Sequence, residues 1–321
     1  MSSVVICAYT LARWDQLQQA VESVAPQTSD LVIVVDHNDA LMERCVARWP
    51  GHRVVASRHA QGLSGARNTG VSEATGDVIA FLDDDATADS RWLELLTAQF
   101  DDASVGGVGG YVAPAWAGSP PAWLPSEFWW VLGCSYTGLP VETAEVRNPI
   151  GANMAFRSSV FERVGGFREE IGRVGTTPLG CEETELSIRA RAAGFTIWYR
   201  PDAIVHHWVP AERVTLRYFL RRCYAEGLSK AVVSAVAGRH DGLAAERAYV
   251  TRTLPAAAAS ALVQTGRGPA RLDGLARLAA LVGGVLAAVD GFVRGTLAYR
   301  KRPAALGPAP SIRRESNRTA G

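Results

Sequence analysis

G-L-S-G-A-R-N-T-G-V-S-E-A-T-G-D-V-I-A-F-L-D-D-D-A, residues 62–86, decides the fold. It reads as a polar, glycine-punctuated helix, then a buried strand, then three carboxylates at the strand's end. Val78 to Leu82 are apolar, and Asp83, Asp84 and Asp85 follow at once. Adjacent carboxylates repel one another and are tolerable where a cation or solvent neutralises them. The carboxyl end of a strand in an α/β sheet is also where ligands bind. A hard divalent ion bridging to a diphosphate satisfies both facts. The alternative is an acidic, solvated turn capping the next helix. Alternation along the strand turns Asp84 away from Asp83 and Asp85.

The flanking sequence repeats the strand–helix rhythm. Ser3–Tyr9 is a β-branched run, followed by a helical pattern from Arg13 to Val24. Leu31–Asp36 is a continuous apolar run ending in a carboxylate, as expected of a parallel strand buried on both faces. Ala40–Trp49 is helical, Arg53–Ser57 is a short strand, and Ser64–Ala74 is a helix closed by Gly76. Asp89 or Ser90 caps a helix running to about Phe100. The pattern predicts an α/β fold with a doubly wound parallel sheet.

Beyond residue 105 the rhythm changes. Gly106–Ala113 reads as a strand. Pro114–Gly138 is irregular and holds Trp116, Trp123, Trp129 and Trp130. Its indoles offer an acceptor surface; large aromatics buried under a long loop are the competing reading. Asn148–Arg157 reads as a strand, Ser158–Val164 as a short helix, Glu182–Ala193 as an amphipathic helix, and Phe195–Tyr199 and Ala203–His207 as short strands. Helical pattern follows over Leu216–Lys230, Ala244–Leu262 and Leu272–Tyr299. The tail 303–321 is Pro-, Arg- and Ser-rich and reads as disordered.

Charge divides the 321 residues in the same place. Residues 1–212 carry 15 Lys and Arg against 26 Asp and Glu, while 213–321 carry 18 against 6. An acidic half suits a metal, and a basic helical half suits an anionic surface or acceptor. The apolar stretch Leu278–Val289 is too short to span a bilayer, and Asp290 and Arg294 interrupt its extension. A packed or interfacial helix is expected there. The five cysteines are scattered without metal-ligand spacing, as in a reducing compartment. No charged-then-apolar leader precedes Val4, so no secretory signal is expected.

Further residues fall at strand ends near the carboxylates. Thr10 follows the first strand, where backbone groups line a nucleotide. Asp36 is placed to accept from the imide N–H of a uracil-like base, or to cap a turn. Arg67 is placed to reach a phosphate, or to lie on the surface.

The order I-C-A-Y-T, V-V-D-H-N, G-L-S-G-A-R-N-T-G and G-D-V-I-A-F-L-D-D-D-A resembles glycosyltransferase family 2, with its GT-A fold. The resemblance continues through G-A-N-M-A-F-R (151–157), V-G-G-F (164–167), C-E-E-T-E-L (181–186) and P-D-A-I-V-H-H (201–207), and covers about residues 3–215. It implies a Rossmann-like nucleotide-diphospho-sugar transferase sheet flanked by helices. The catalytic domain would span 1–212, with a nucleotide-sugar half to about 112 and an acceptor half from 113. A basic helical extension (213–302) and the tail (303–321) follow.

The resemblance also implies inverting, hexosyltransferase-like transfer from a nucleotide-sugar donor. Asp83 and Asp85 match the ends of the D-x-D motif, with a divalent Mn2+ or Mg2+ as cofactor. Asp85 is the expected direct metal ligand, and Asp83 binds ribose or metal. The general base corresponds to the second acid of an acidic pair, here Glu182-Glu183, which makes Glu183 the candidate. The family often supplies a metal-binding His at His206 or His207, and the spacing A-x-V-x-H favours His207. Asn153 is a candidate for binding the donor sugar or diphosphate. V-D-H-N stands where V-D-D-G-S is commoner, so His37 replaces an acid. The Q-x-x-R-W motif of processive members is absent, which implies one sugar per encounter. The expected acceptor is a lipid-linked or cell-envelope glycan precursor, with a soluble natural product or protein as the alternative. A nucleotide-sugar-binding protein without catalysis and a nucleotidyltransferase are the rival classes. The expected location is cytoplasmic, either free or peripheral at the inner face of the cell membrane. No nucleic-acid partner is expected.

Overall fold

The apolar runs of the first hundred residues form the centre of one sheet. The computed structural model describes residues 1–172, 179–237, 249–265, 271–300 and 309–312. Strands β1 (Ser2–Ala8), β2 (Asp30–Val35), β3 (Arg53–Ala56) and β4 (Val78–Asp83) pair in parallel. Helices α1 (Trp14–Val24), α2 (Asp39–Arg48) and α3 (Leu63–Glu73) connect them. Every residue of β2 is buried. Val4, Ile6 and Ile33 enter the core on one side of the sheet, and Val5, Val32 and Val34 the core on the other. This is the period-two division of a strand covered on both faces.

The sheet is mixed rather than wholly parallel. Its order is β3-β2-β1-β4-β8-β6-β9-β5, with β7 (Ala144–Glu145) paired to β9. The additional strands are β5 (Ala86–Ala88), β6 (Val105–Trp116), β8 (Asn153–Arg157) and β9 (Thr196–Val209), with β8 antiparallel to β4. Helix α4 spans Trp92–Thr97, later than the expected cap at Asp89 or Ser90. Helices α5 (Ser158–Val164) and α6 (Glu182–Ala192) lie close to their expected bounds. The two short strands expected near residues 195–207 are one strand, β9. Its pairing with β6 shifts register between Gly110 and Tyr111, where the partner moves from Arg200 to Ile204. The Pro201-Asp202 stretch is thus absorbed as a bulge.

Trp116, Trp123, Trp129 and Trp130 are partly buried against the main core, and Trp116 stacks edge-on to Trp129 at 5.5 Å. Each packs one side against the core and leaves the rest exposed.

Helices α7 (Leu216–Ala237), α8 (Leu254–Thr265) and α9 (Arg271–Arg300) follow. The expected segment 244–248 lies outside the described residues. Phe219 meets Gly284, Tyr224 meets Gly291 and Leu228 meets Gly295, so α7 and α9 run in the same direction. Glycine permits the close approach: a Cβ on Gly227 would lie 2.0 Å from the Ala288 carbonyl oxygen. Residues 271–298 of α9, whose most apolar 18-residue stretch has mean hydropathy 1.7, are long and apolar enough by length and composition to cross a membrane. This corrects the shorter span expected from sequence. Of the tail, residues 309–312 are placed: the Gly166 N–H donates to the Pro310 carbonyl, and Ile312 is buried beside Phe167. The rest of 303–321 lies outside the described residues.

Candidate active site

β4 delivers Asp83, and the chain then turns through Asp84 and Asp85 into β5. β5 pairs antiparallel with β9, so Ala86 stands opposite His207. That register brings Asp85 to the His207 ring, with Asp85 Oδ1 3.0 Å from His207 Nε2. Asp83, Asp85 and His207 each offer a ligand atom, all within 4.8 Å of one another. Two carboxylate oxygens and an imidazole nitrogen suit a divalent ion such as Mn2+ or Mg2+. His206 faces the other way. It is exposed and pairs with Asp89 at 3.0 Å, which removes it as a ligand to this centre.

Asp84 corrects the alternation argument, because the strand ends at Asp83 and the turn carries Asp84 inward. It is buried and lines the same cleft as Asp83, Asp85, Asp36, Tyr9 and Arg13. Arg13 donates to Asp84 Oδ1 at 2.7 Å, while Asp84 Oδ2 is buried with no hydrogen-bond partner among the described residues. Burial pushes the Asp84 carboxyl up to about 7, against the pull of Arg13. Burial disfavours charge on Asp85 too, yet His207, Arg13 and Arg213 hold its carboxyl well below the usual range. Burial would likewise lower His207, but the Asp85 charge and hydrogen bond raise it to about 10. Cys134 Sγ lies 3.8 Å from His207 Nδ1. The turn glycine Gly133 (φ 80°) passes under the same ring.

Asp36 closes the end of β2 and lines the cleft. Its Oδ1 lies 2.7 Å from His37 Nδ1, and its Oδ2 accepts from the Gly62 N–H at 3.0 Å. Thr10 caps a short turn by accepting from the Ala12 N–H at 3.2 Å. His37 (φ 49°) and Cys181 (φ 74°) hold left-handed backbone, which non-glycine residues rarely adopt. Each adjoins a candidate site residue, Asp36 and Glu182.

Two candidates for donor binding are committed elsewhere. Arg67 is buried at 2% exposure and donates to Glu182 Oε1 at 2.7 Å, to Asp83 Oδ1 at 3.3 Å and to the Gly151 carbonyl at 3.0 Å. It joins the acidic pair to the carboxylate turn instead of reaching outward. Asn153 is fully buried. It accepts from Trp92 Nε1 at 2.8 Å and donates to the Tyr111 and Ala203 carbonyls, both at 2.9 Å. It ties β8 to β6, β9 and α4, and its polar atoms are used up. Asn153→Ala is expected to leave donor affinity unchanged and to destabilise the fold by about 3 kcal/mol, because buried partners lose their bonds. Urea denaturation beside donor titration checks both statements.

The Glu182-Glu183 pair opens α6. Glu182 is buried, with no partner for Oε2 among the described residues, while Glu183 is half-buried and accepts from the Thr184 hydroxyl at 3.2 Å. Desolvation, then the neighbouring Glu182, push the Glu183 carboxyl up to about 8. A carboxylate so destabilised is a strong proton acceptor near neutral pH. Cys7 also lines the cleft, but burial pushes its thiol to about 12, which rules out a thiolate nucleophile.

The sequence reading passed over Arg13, Arg213 and Cys134. Arg13 follows the first strand by five residues, and Arg213 follows His207 by six. Position beyond a strand end was the available signal, and only the fold shows both arginines converging on Asp85.

The model described as "Glycosyl transferase family 2" matches residues 3–165. The glucosyl-dolichyl phosphate glucuronosyltransferase of Haloferax volcanii is 34% identical over 239 residues, covering 72% of this chain and 76% of that protein.

The chain belongs to glycosyl transferase family 2.

The succinoglycan biosynthesis protein ExoM of Rhizobium meliloti is 28% identical over 259 residues, covering 77% of this chain and 76% of ExoM. Among solved structures, the mannosyltransferase PcManGT of Pyrobaculum calidifontis, in complex with GDP-Man and Mn2+, aligns with TM-score 0.53 at 18% identity. That match covers 88% of this chain and 86% of PcManGT. GalNAc-T7 with UDP, GalNAc and Mn2+ aligns with TM-score 0.52 at 16% identity, over 75% of this chain and 54% of that one. These likenesses show the GT-A fold of this glycosyltransferase.

Proposed function

We propose that this glycosyltransferase moves a single sugar, with inversion, from a nucleotide-sugar donor to a hydroxyl of a lipid-linked glycan precursor. One observation carries the reading: a single cleft is lined by Asp36 and by the Asp83–Asp85 turn, with His207 at Asp85. Asp36 faces the base. Asp83, Asp85 and His207 would hold a divalent ion, which would supply positive charge to the diphosphate leaving group. Glu183 takes the proton of the attacking hydroxyl. Arg67 fixes Glu182 and Asp83 in one network, and so sets where Glu183 stands relative to the donor. The lipid-linked acceptor is supported by the Haloferax relative, whose name specifies a dolichyl phosphate substrate.

A thermal-shift panel of UDP-, GDP- and dTDP-sugars with Mn2+ or Mg2+ tests the donor site. A bound donor is expected to raise the melting temperature by mass action, by about 2.7 kcal/mol of stability at a hundredfold excess over Kd. A flat response across the panel with metal present would sink the donor assignment.

We read residues 1–212 as the catalytic domain and 213–302 as a membrane-facing extension on the cytoplasmic side. The outward face of α9 supports this. Leu272, Leu275, Val282, Leu286, Val289, Val293 and Leu297 are between 47% and 76% exposed, enough to form one apolar stripe. The only exposed charges within the Val282–Leu297 part of the stripe are the paired Asp290 and Arg294. Beside α9 runs α7, with Arg221, Arg222, Glu226 and Lys230, charges that a bilayer core disfavours. The helix therefore lies on the membrane instead of crossing it. Leu286→Asp with Val289→Asp is expected to cut recovery with anionic vesicles in flotation by at least about tenfold. Equal flotation of parent and variant would remove α9 from the contact.

A further inference from the structure

Asp85 has more positive partners than its charge requires. Its Oδ2 accepts from Arg213 at 3.2 Å and lies 3.2 Å from Arg13 Nη1, and its Oδ1 lies 3.0 Å from His207. Arg13 is shared with Asp84 at 2.7 Å. Two buried carboxylates thus face two guanidiniums and an imidazole, in surroundings where charge is weakly screened. A divalent ion held by Asp83, Asp85 and His207 would compete with these groups for the charge of Asp85 and would lie beside two guanidiniums that share its Oδ2. A guanidinium stays charged in proteins, so neither arginine can remove the conflict by losing a proton. With the ion bound, Arg13 and Arg213 would stand beside a like charge wherever they kept their hold on Asp85.

Arg13 lines the cleft with its side chain 21% exposed, and Arg213 reaches the same Asp85 oxygen with its side chain 12% exposed. Forked guanidinium donors match phosphate oxygens, and a diphosphate brings several such acceptors. Asp84 Oδ2, beside Arg13, has no hydrogen-bond partner among the described residues and would accept from a donor or a cation entering the cleft. We propose that Arg13 and Arg213 are exchange arms. They hold Asp85 until a divalent ion takes it, then turn onto the phosphate oxygens of the nucleoside diphosphate. Metal and nucleotide then bind cooperatively, each relieving a charge imbalance the other creates, and the coupling is reciprocal. This rests on the donor-site reading given above.

The test uses the full chain and two probes, Mn2+ followed by electron paramagnetic resonance and UDP or GDP followed by calorimetry. In Arg13→Met and in Arg213→Met, Mn2+ alone is expected to bind about tenfold tighter than in the parent, because a competitor for Asp85 is gone. The nucleoside diphosphate, with Mn2+ saturating, is expected to bind about tenfold weaker, because a phosphate donor is gone. The factor by which nucleotide tightens Mn2+ binding therefore falls in each variant. Arg13→Lys and Arg213→Lys keep the charge without the fork, and are expected to show intermediate coupling. They decide the question if a Met variant fails to fold by circular dichroism. Mn2+ affinity that is unchanged or weaker in the variants, with parental coupling, would overturn the exchange while leaving the donor site standing. A parent that binds neither Mn2+ nor either nucleotide would overturn both.

Discussion

Glu183→Gln is expected to lower kcat by about 10³-fold while changing donor affinity by no more than about twofold, since the amide keeps the shape but cannot accept the proton. The prediction follows from where Glu183 stands. Its half-buried carboxyl opens α6 beside Glu182, and desolvation with that neighbour raises it to about 8. Below that pH the protonated fraction dominates, so kcat/KM of the parent should climb about tenfold per pH unit and level off above it. The Gln variant should show no such limb. Stability moves the opposite way. A carboxyl raised in the folded state binds its proton more tightly folded than unfolded, so its contribution is complete at acid pH and lost as pH rises toward 8. Above pH 8 the Gln variant should therefore match or exceed the parent in melting temperature. If Glu183→Gln kept its rate and Glu182→Gln lost it, the proton acceptor would be Glu182.

How much of this was legible in the sequence depends on the range of the interactions. β1, β2 and β4 announce themselves because a strand buried on both faces must be apolar at every position. The carboxylate turn is equally plain, since three charges abut Leu82 at the end of an apolar run. His207 emerged from alternation within one strand, and alternation held there because β9 stays regular past residue 204. The same rule failed for Asp84, where the strand had ended. Arg67 and Asn153 misled for a different reason. Both sit in motifs the family shares, yet their partners are far away in sequence, Glu182 for Arg67 and Trp92 for Asn153. A polar side chain at a site reads as a ligand contact until the fold supplies the internal partner. The convergence of Arg13 and Arg213 on Asp85 is of the same kind, and joins residues two hundred positions apart.

Arg67→Met is expected to destabilise the protein by about 3–5 kcal/mol, because removing one partner of a buried ion pair strands the other. Glu182 is 4% exposed and its Oε1 has Arg67 as its charged partner at 2.7 Å. Its Oε2 has no partner among the described residues, so the carboxylate has little else to fall back on. Met fills similar volume between Phe81 and Phe167, the rings that flank the guanidinium at 5.9 and 5.6 Å, so packing loss is small. The cost is thereby assigned to charge. Arg67→Met with Glu182→Gln should recover a large part of it, since the stranded charge is then removed. Denaturant midpoints for the two single variants and the double variant measure the coupling directly. Recovery of stability without recovery of transfer would show that Arg67 acts on the reaction through Asp83 and Glu182 and not through the stability of the fold. Recovery of neither would mean that the guanidinium is held for its contacts with Gly151 and the aromatic rings, and that the ion pair is incidental.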